Sequence, residues 1–270
     1  MKYNMNPILG ALTGDIVGSV YEWHNIKTKA FPLFNNKCVP TDDSVMTLAV
    51  TKALIGSRET GKPLAEEAVY CMRQLGNAYP RAGYGGRFAH WLTADDPTPY
   101  NSFGNGSAMR TSACGVFADT LEEALKNARE AAAVTHNHPE GIKGAEATAA
   151  AIFMALHGST KDEIRGYVVN HYYTLGFTLD EIRPAYRFDE TCQGSVPQAI
   201  EAFLEAKDFE DTIRSAISLG GDSDTLAAIA GSIGAAFYGV PQVIGECTLS
   251  YLDKDLRGIY DEAARYAGNN

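Results

Sequence analysis

Several protein classes are excluded by what this sequence lacks. No apolar run reaches the roughly 20 residues that a helix needs to cross a bilayer. The most apolar stretch, Leu226 to Val240, is broken by Gly231, Ser232, Gly234 and Gly239 and reads as a buried helix. Met1 to Pro7 lacks the apolar segment of a signal peptide. Cysteine is sparse and odd in number: Cys38, Cys71, Cys114, Cys192 and Cys247 show neither zinc nor redox spacing, so a reducing cytoplasm is the expected compartment. Basic charge is short as well, with 23 Lys and Arg against 33 Asp and Glu and a formal net charge of −10. A broad basic face for nucleic acid is excluded, and a phosphate-bearing ligand would depend on backbone dipoles or metal. No Ser/Gly linker, charge block, low-complexity tract or repeat array divides the 270 residues. One domain over residues 1–270, working as a monomer, is expected, and its 45% hydrophobic content is ample for a core.

Sustained two-residue alternation is missing too, and helix caps recur instead, so the fold class is all-α. Thr120 with Glu123, Thr160 with Glu163 and Thr178 with Glu181 have capping-box spacing, which predicts helices over Leu121 to Thr135, from Lys161 and from Leu179. The aromatic run Tyr167 to Tyr173 could pass for a strand, but its flanking caps make it helix. Further helices are expected over Ile8 to Trp23, Leu64 to Gly76, Glu140 to His157, Val196 to Ala206 and Phe209 to Leu219. Asn77 to Gly106, rich in Gly, Pro, Asp and aromatics, reads as a long irregular region lining a site.

Gly10, Gly14 and Gly18 recur every four residues, forming a helix ridge without side chains that another backbone can approach. Each costs about 1 kcal/mol relative to Ala inside a helix, so the row implies close packing or a ligand. Glu22 follows one turn further along the same row; by itself it reads as an exposed carboxylate. Two near-motifs are rejected. Gly56 to Pro63 approaches a phosphate loop, but Pro63 replaces the hydroxyl residue and a helix precedes it. Gly104 to Met109 approaches a dinucleotide fingerprint, but Met109 replaces the third glycine and no strand precedes it. A glycine-rich turn feeding a helix at Ala108 can still offer N–H groups to a phosphate. His136 and His138 lack a third zinc ligand at useful spacing and read as hydrogen-bonding residues, to substrate or backbone.

The acidic residues are the most informative. Gly220 and Gly221 suit a sharp reversal, and Asp222, Ser223 and Asp224 then stand at a helix start, where each could cap. Pro40-Thr41-Asp42-Asp43-Ser44 repeats that form, with Thr41 or Asp42 as the natural cap. Taken singly, each cluster is a cap. Brought together, Asp42, Asp43, Asp222 and Asp224 would repel strongly unless protonated or neutralised. Two Mg²⁺ would supply four positive charges, and all-oxygen ligands select magnesium, calcium or manganese over zinc.

These motifs, with Gly14-Asp15, Gly83-Tyr84-Gly85, Gly104-Asn105-Gly106-Ser107-Ala108-Met109-Arg110 and Thr135-His136-Asn137-His138-Pro139, resemble the ADP-ribosylglycohydrolase family nearly end to end. The family includes dinitrogenase reductase activating glycohydrolase and the ADP-ribosyl-acceptor hydrolases. The resemblance implies a compact orthogonal helical bundle and a binuclear magnesium centre, with manganese able to substitute, held by Thr41, Asp42, Asp43, Asp222, Asp224 and Thr225. Glu22 and Asp222 become the catalytic carboxylates, and Tyr84, Gly104, Asn105, Gly106, Ser107, Met109 and His136 the substrate-binding residues. The implied reaction is hydrolysis of the bond between ADP-ribose and its acceptor, on a modified protein, nucleotide or small molecule, with Glu22 moving the proton. A non-catalytic ADP-ribose binder or structural relative is the alternative, and a nucleotide phosphohydrolase ranks last for want of an adjacent His-Asp pair.

Overall fold

The computed structural model describes residues 3–269, and among them there are fifteen helices and no strand; one antiparallel bridge joins Gly104 to Thr191. The chain is all-α, as its lack of alternation implies. The first helix, α1 (Asn6–Gly18), opens with Pro7 in its first turn, where a missing N–H costs nothing. It is shorter than the expected Ile8 to Trp23. The Ser19 hydroxyl donates to Ile16 O (2.9 Å) and Tyr21 N to Gly18 O (2.8 Å), so the chain turns after Gly18. Glu22 therefore lies beyond the helix and not on its glycine row.

Helix α2 (Asp42–Thr60) begins on Thr41, whose hydroxyl accepts from Asp43 N, and ends at Gly61 in the left-handed region. Helices α3 (Leu64–Ala78) and α4 (Gly86–Thr93) come next. The last interrupts the stretch expected to be irregular, because Phe88, Trp91 and Leu92 share one short apolar face. Two single-turn pieces, α5 (Gly106–Met109) and α6 (Ser112–Val116), replace the helix expected from Ala108.

In α7 (Leu121–Ala133) only half of the expected capping box forms. Thr120 accepts from Glu123 N, while the Glu123 carboxylate takes Asp119 N (2.8 Å) and Arg58 (2.6 Å). His138 caps α8 (Pro139–Leu156) through Nδ1. Both remaining boxes are complete, on α9 (Lys161–His171) and α10 (Leu179–Ile182), and Tyr172 and Tyr173 fall just past α9. Then come α11 (Cys192–Glu205), four residues longer at its start than expected, α12 (Phe209–Ile217) and α13 (Ser223–Tyr238). Two helices not delimited from sequence, α14 (Gln242–Ser250) and α15 (Lys254–Asn269), complete the chain.

The core is built on α1 against α13. A Cβ placed on Gly10 would stand 2.3 Å from Gly231 O, one on Gly14 2.0 Å from Ala227 O, and one on Gly18 2.5 Å from the Asp224 Cα. The glycine row is thus a backbone-to-backbone contact, and it sets the start of α13 beside the end of α1. Ile8, Leu12 and Ile16 on one side and Leu226, Ile229 and Ile233 on the other are fully buried around it.

Candidate active site

Gly220 (φ +68°) and Gly221 (φ +78°) let the chain leave α12 and re-enter α13 sharply. Asn25 clamps this turn: its Oδ1 accepts from Gly221 N (2.7 Å), and its Nδ2 donates to Gly221 O (2.9 Å) and to the carbonyls of Tyr21 and Glu22 (each 2.8 Å). The segment carrying Glu22 is thereby tied to the turn carrying Asp222.

At the start of α13 the Asp222 side chain makes no capping bond. Its carboxylate accepts from Asn105 Nδ2 (2.7 Å), which also donates to Ser195 Oγ (3.0 Å). Asn105, expected to bind substrate, thus tethers Asp222 to the glycine loop. The Ser223 hydroxyl donates to carbonyls of Tyr21 and Gly221. Capping therefore does not account for Asp222, while Asp224 Oδ1 accepts from Thr225 N in the first turn (3.0 Å) and keeps its other oxygen free of that bond.

The other cluster is held by Asp15, a carboxylate inside the apolar face of α1. Fully buried, it accepts from Thr41 N (2.9 Å), Thr41 Oγ1 (2.5 Å), Ser44 N (3.0 Å) and the Ser44 hydroxyl. Sequence motifs include Asp15 without giving it a role; a lone carboxylate in an otherwise apolar helix is the signal that could have found it. Asp15 links the end of α1 to the start of α2 as Gly18 links it to the start of α13. Single oxygens of Asp15, Asp43 and Asp224 lie within 4.8 Å of one another, as do those of Glu22, Asp222 and Asp224. Asp42 is outside both groups and keeps some exposure towards the cleft.

Burial and mutual repulsion push this whole set up. Asp15 rises to about 6 by burial, against its four hydrogen bonds. Glu22 rises to about 7 through burial and then Asp222, and Asp42 to about 8 through burial and then Asp15 and Asp222. Asp43 and Asp224 lie well above the usual carboxylate range, for burial first and neighbouring carboxylates second, and Asp222 is raised by burial. Packing acids so closely is unfavourable unless protons or cations are shared among them. The donor set is all oxygen, and Asp43 Oδ1 is buried with no partner. Both features fit a hard divalent cation.

Glu22, Asp42, Asp43, Asp222, Asp224 and Thr225 face one cleft of about 470 Å³, a volume within the roughly 300–1,000 Å³ of small-molecule sites. Tyr84, Gly104, Asn105, Gly106, Met109 and His136 also line it. The Tyr84 hydroxyl is buried and unpartnered. Two of the sequence-derived residues are placed differently. Ser107 is fully buried and donates to Gly141 O (2.7 Å), and the Thr41 hydroxyl is engaged with Asp15. At the mouth, Trp23 stacks on Phe188 with ring centres 5.4 Å apart, and Glu190 lines the same side. These residues sit in loops with no local signal in the sequence.

A family model described as ADP-ribosylglycohydrolase matches residues 6–268. The chain is 28% identical over 309 residues to human ADP-ribosylhydrolase ARH3, covering 87% of this chain and 85% of that protein. It is 27% identical over 315 residues to the mouse protein of the same name, covering 87% and 84%. ADP-ribosylarginine hydrolase Tri1 of Pseudomonas putida (strain GB-1) is 29% identical over 157 residues, covering 56% of this chain and 42% of that one. A solved structure titled ADP-ribosylglycohydrolase-related protein complex shares the fold, with a TM-score of 0.69 at 21% identity over 99% of this chain and 100% of that one. With its helices, its acidic cleft and a family match running almost end to end, the chain belongs to the ADP-ribosylglycohydrolase family.

Proposed function

We propose that this protein hydrolyses the bond between ADP-ribose and an acceptor, with two Mg²⁺ in the acidic cleft. The observation that carries the reading is the convergence of the α2 and α13 starts on Asp15, which packs carboxylates too closely to remain charged without cations. Asp43, Asp222 and Asp224 are the principal carboxylate ligands, with Asp42, Thr41 and Thr225 at the edge of the site. When bound, magnesium or manganese supplies Lewis-acid charge that polarises sugar and water oxygens.

The chain's own groups divide the remaining work. Glu22 is half-buried beside Asp222, with an oxygen within 4.8 Å of those of Asp222 and Asp224, which places a carboxyl at the edge of the metal site where it can pass a proton to or from the reacting groups. Carboxylates fixed around the reacting sugar favour the positive charge that develops at C1 in glycoside cleavage. Asn105 holds Asp222 in place, and Asn25 holds the Glu22 backbone against the same turn. The Gly104 to Gly106 backbone and His136 form the wall for the diphosphate, with Tyr84 across the cleft near Asp42. The acceptor occupies the mouth, bounded by Trp23, Phe188 and Glu190.

The test is release of ADP-ribose from arginine-linked, serine-linked, nucleic-acid-linked and O-acyl substrates, with magnesium and then with excess EDTA. Release that requires metal supports the reading. Tight ADP-ribose binding with no cleavage of any substrate would leave a binding protein instead.

A further inference from the structure

We propose that Arg110 and Thr135 hold His136 in the tautomer with its proton on Nε2, presenting a neutral N–H donor to the Gly104–Gly106 wall of the cleft. The functional meaning rests on the reading of that wall as the diphosphate side of the site.

Arg110 is 1% exposed, and its Nη2 donates to Thr135 Oγ1 at 2.7 Å and to Ala131 O at 3.1 Å. A guanidinium has donors only, so the Thr135 oxygen must accept there. That leaves the single hydroxyl proton of Thr135 to be placed. Its other partner is His136 Nδ1, at 2.7 Å. Nδ1 therefore accepts, and the proton of a neutral ring belongs on Nε2. Burial first, then Arg110 and Arg87, lower the basicity of His136 well below the usual range, which keeps the ring neutral.

Nε2 is directed at the loop: a Cβ added to Gly104 or to Gly106 would lie 3.5 Å from it. An Nε2 proton there meets an anionic oxygen as a donor, whereas the other tautomer would present a lone pair and leave that oxygen unpaired. Arg110 has no ion-paired carboxylate among the described residues, and the Phe88 ring lies 5.9 Å from its guanidinium carbon. Its charge therefore adds to the attraction of the wall for anions. Arg110 and Thr135 act through His136 and are positioning residues.

The decisive measurement is a long-range proton–nitrogen spectrum of protein carrying ¹⁵N-histidine, in magnesium buffer, with His136 assigned by its loss in His136→Gln. Wild type should show the Nε2–H pattern. Thr135→Val should keep the proton on Nε2 but shift the unprotonated Nδ1 resonance downfield, as an acceptor nitrogen that has lost its donor, and weaken ADP-ribose binding about tenfold, while Thr135→Ser keeps the wild-type spectrum and affinity. Thr135→Ala repeats the comparison without the β-branched methyl. A wild-type proton on Nδ1, or an Nδ1 resonance unchanged in both Val and Ala variants, would overturn the proposal. If the wild type does not bind ADP-ribose at all, the diphosphate reading fails while the spectrum still decides the tautomer.

Discussion

Gly18 lies directly against Asp224: a Cβ on the glycine would be 2.5 Å from the aspartate Cα. Helix packing and site assembly are therefore one contact. Gly14→Ala, which would meet Ala227 O at 2.0 Å, should destabilise the fold by about 1–3 kcal/mol through overpacking. Gly18→Ala should do the same and also displace Asp224, weakening Mg²⁺ binding more than Gly14→Ala does. Urea unfolding and calorimetric metal titration measure the two effects. An unchanged midpoint and metal affinity in Gly18→Ala would refute the link.

The raised carboxyls make metal-free stability depend on pH. A group held above its unfolded value stabilises the fold while protonated and loses that contribution as pH rises through the folded value. Glu22 (about 7) and Asp42 (about 8), with Asp43 and Asp224 also raised well above their normal range, predict a falling thermal midpoint between pH 7 and 8.5 in EDTA. The depressed basicity of His136 acts in the opposite sense, but only below its unfolded value of about 6.5. Excess magnesium should raise the midpoint more at pH 8.5 than at pH 7. A metal-free midpoint that climbs across this window would contradict the repulsive cluster.

Relieving that repulsion should stabilise the empty protein at the expense of function. In EDTA at pH 8, Asp43→Asn or Asp224→Asn should raise the melting temperature by about 2 °C or more, each kcal/mol being worth roughly 2–4 °C at this size. The same variants should lose the magnesium-induced shift and all turnover. Variants less stable than wild type in EDTA, yet still shifted by magnesium, would remove these two residues from the ligand set.

Glu22→Gln separates proton transfer from metal binding. Turnover should fall by about 10²–10⁴-fold, the usual loss for a general acid or base, with magnesium and ADP-ribose affinities within a few-fold of wild type. A large loss of metal affinity would instead make Glu22 a ligand, an arrangement compatible with its oxygen lying within 4.8 Å of those of Asp222 and Asp224.

Local rules carried the helices furthest where backbone groups are satisfied nearby. The Thr160/Glu163 and Thr178/Glu181 boxes form in full because both partners lie within one turn. Thr120/Glu123 forms in half because the Glu123 carboxylate is taken by Asp119 N and by Arg58, the latter 65 residues away in sequence. Helix α1 ends earlier than its pattern implies for the same reason: the chain beyond Gly18 is governed by Asn25 and the Gly221 turn, which no window of neighbouring residues contains.

By itself the sequence determined the helical class, the glycine face of α1, the reversal at Gly220-Gly221 and the two acidic helix starts, since each depends on backbone conformation or spacing within a few residues. Only the tertiary structure decided that the starts meet, that Asp15 joins them, that Asn105 and not a cap engages Asp222, and that Ser107 is buried beneath its loop. Those relationships depend on distances between residues up to about 200 positions apart in the chain. Such distances are set by which surfaces pack, and here by three glycines that let two backbones touch.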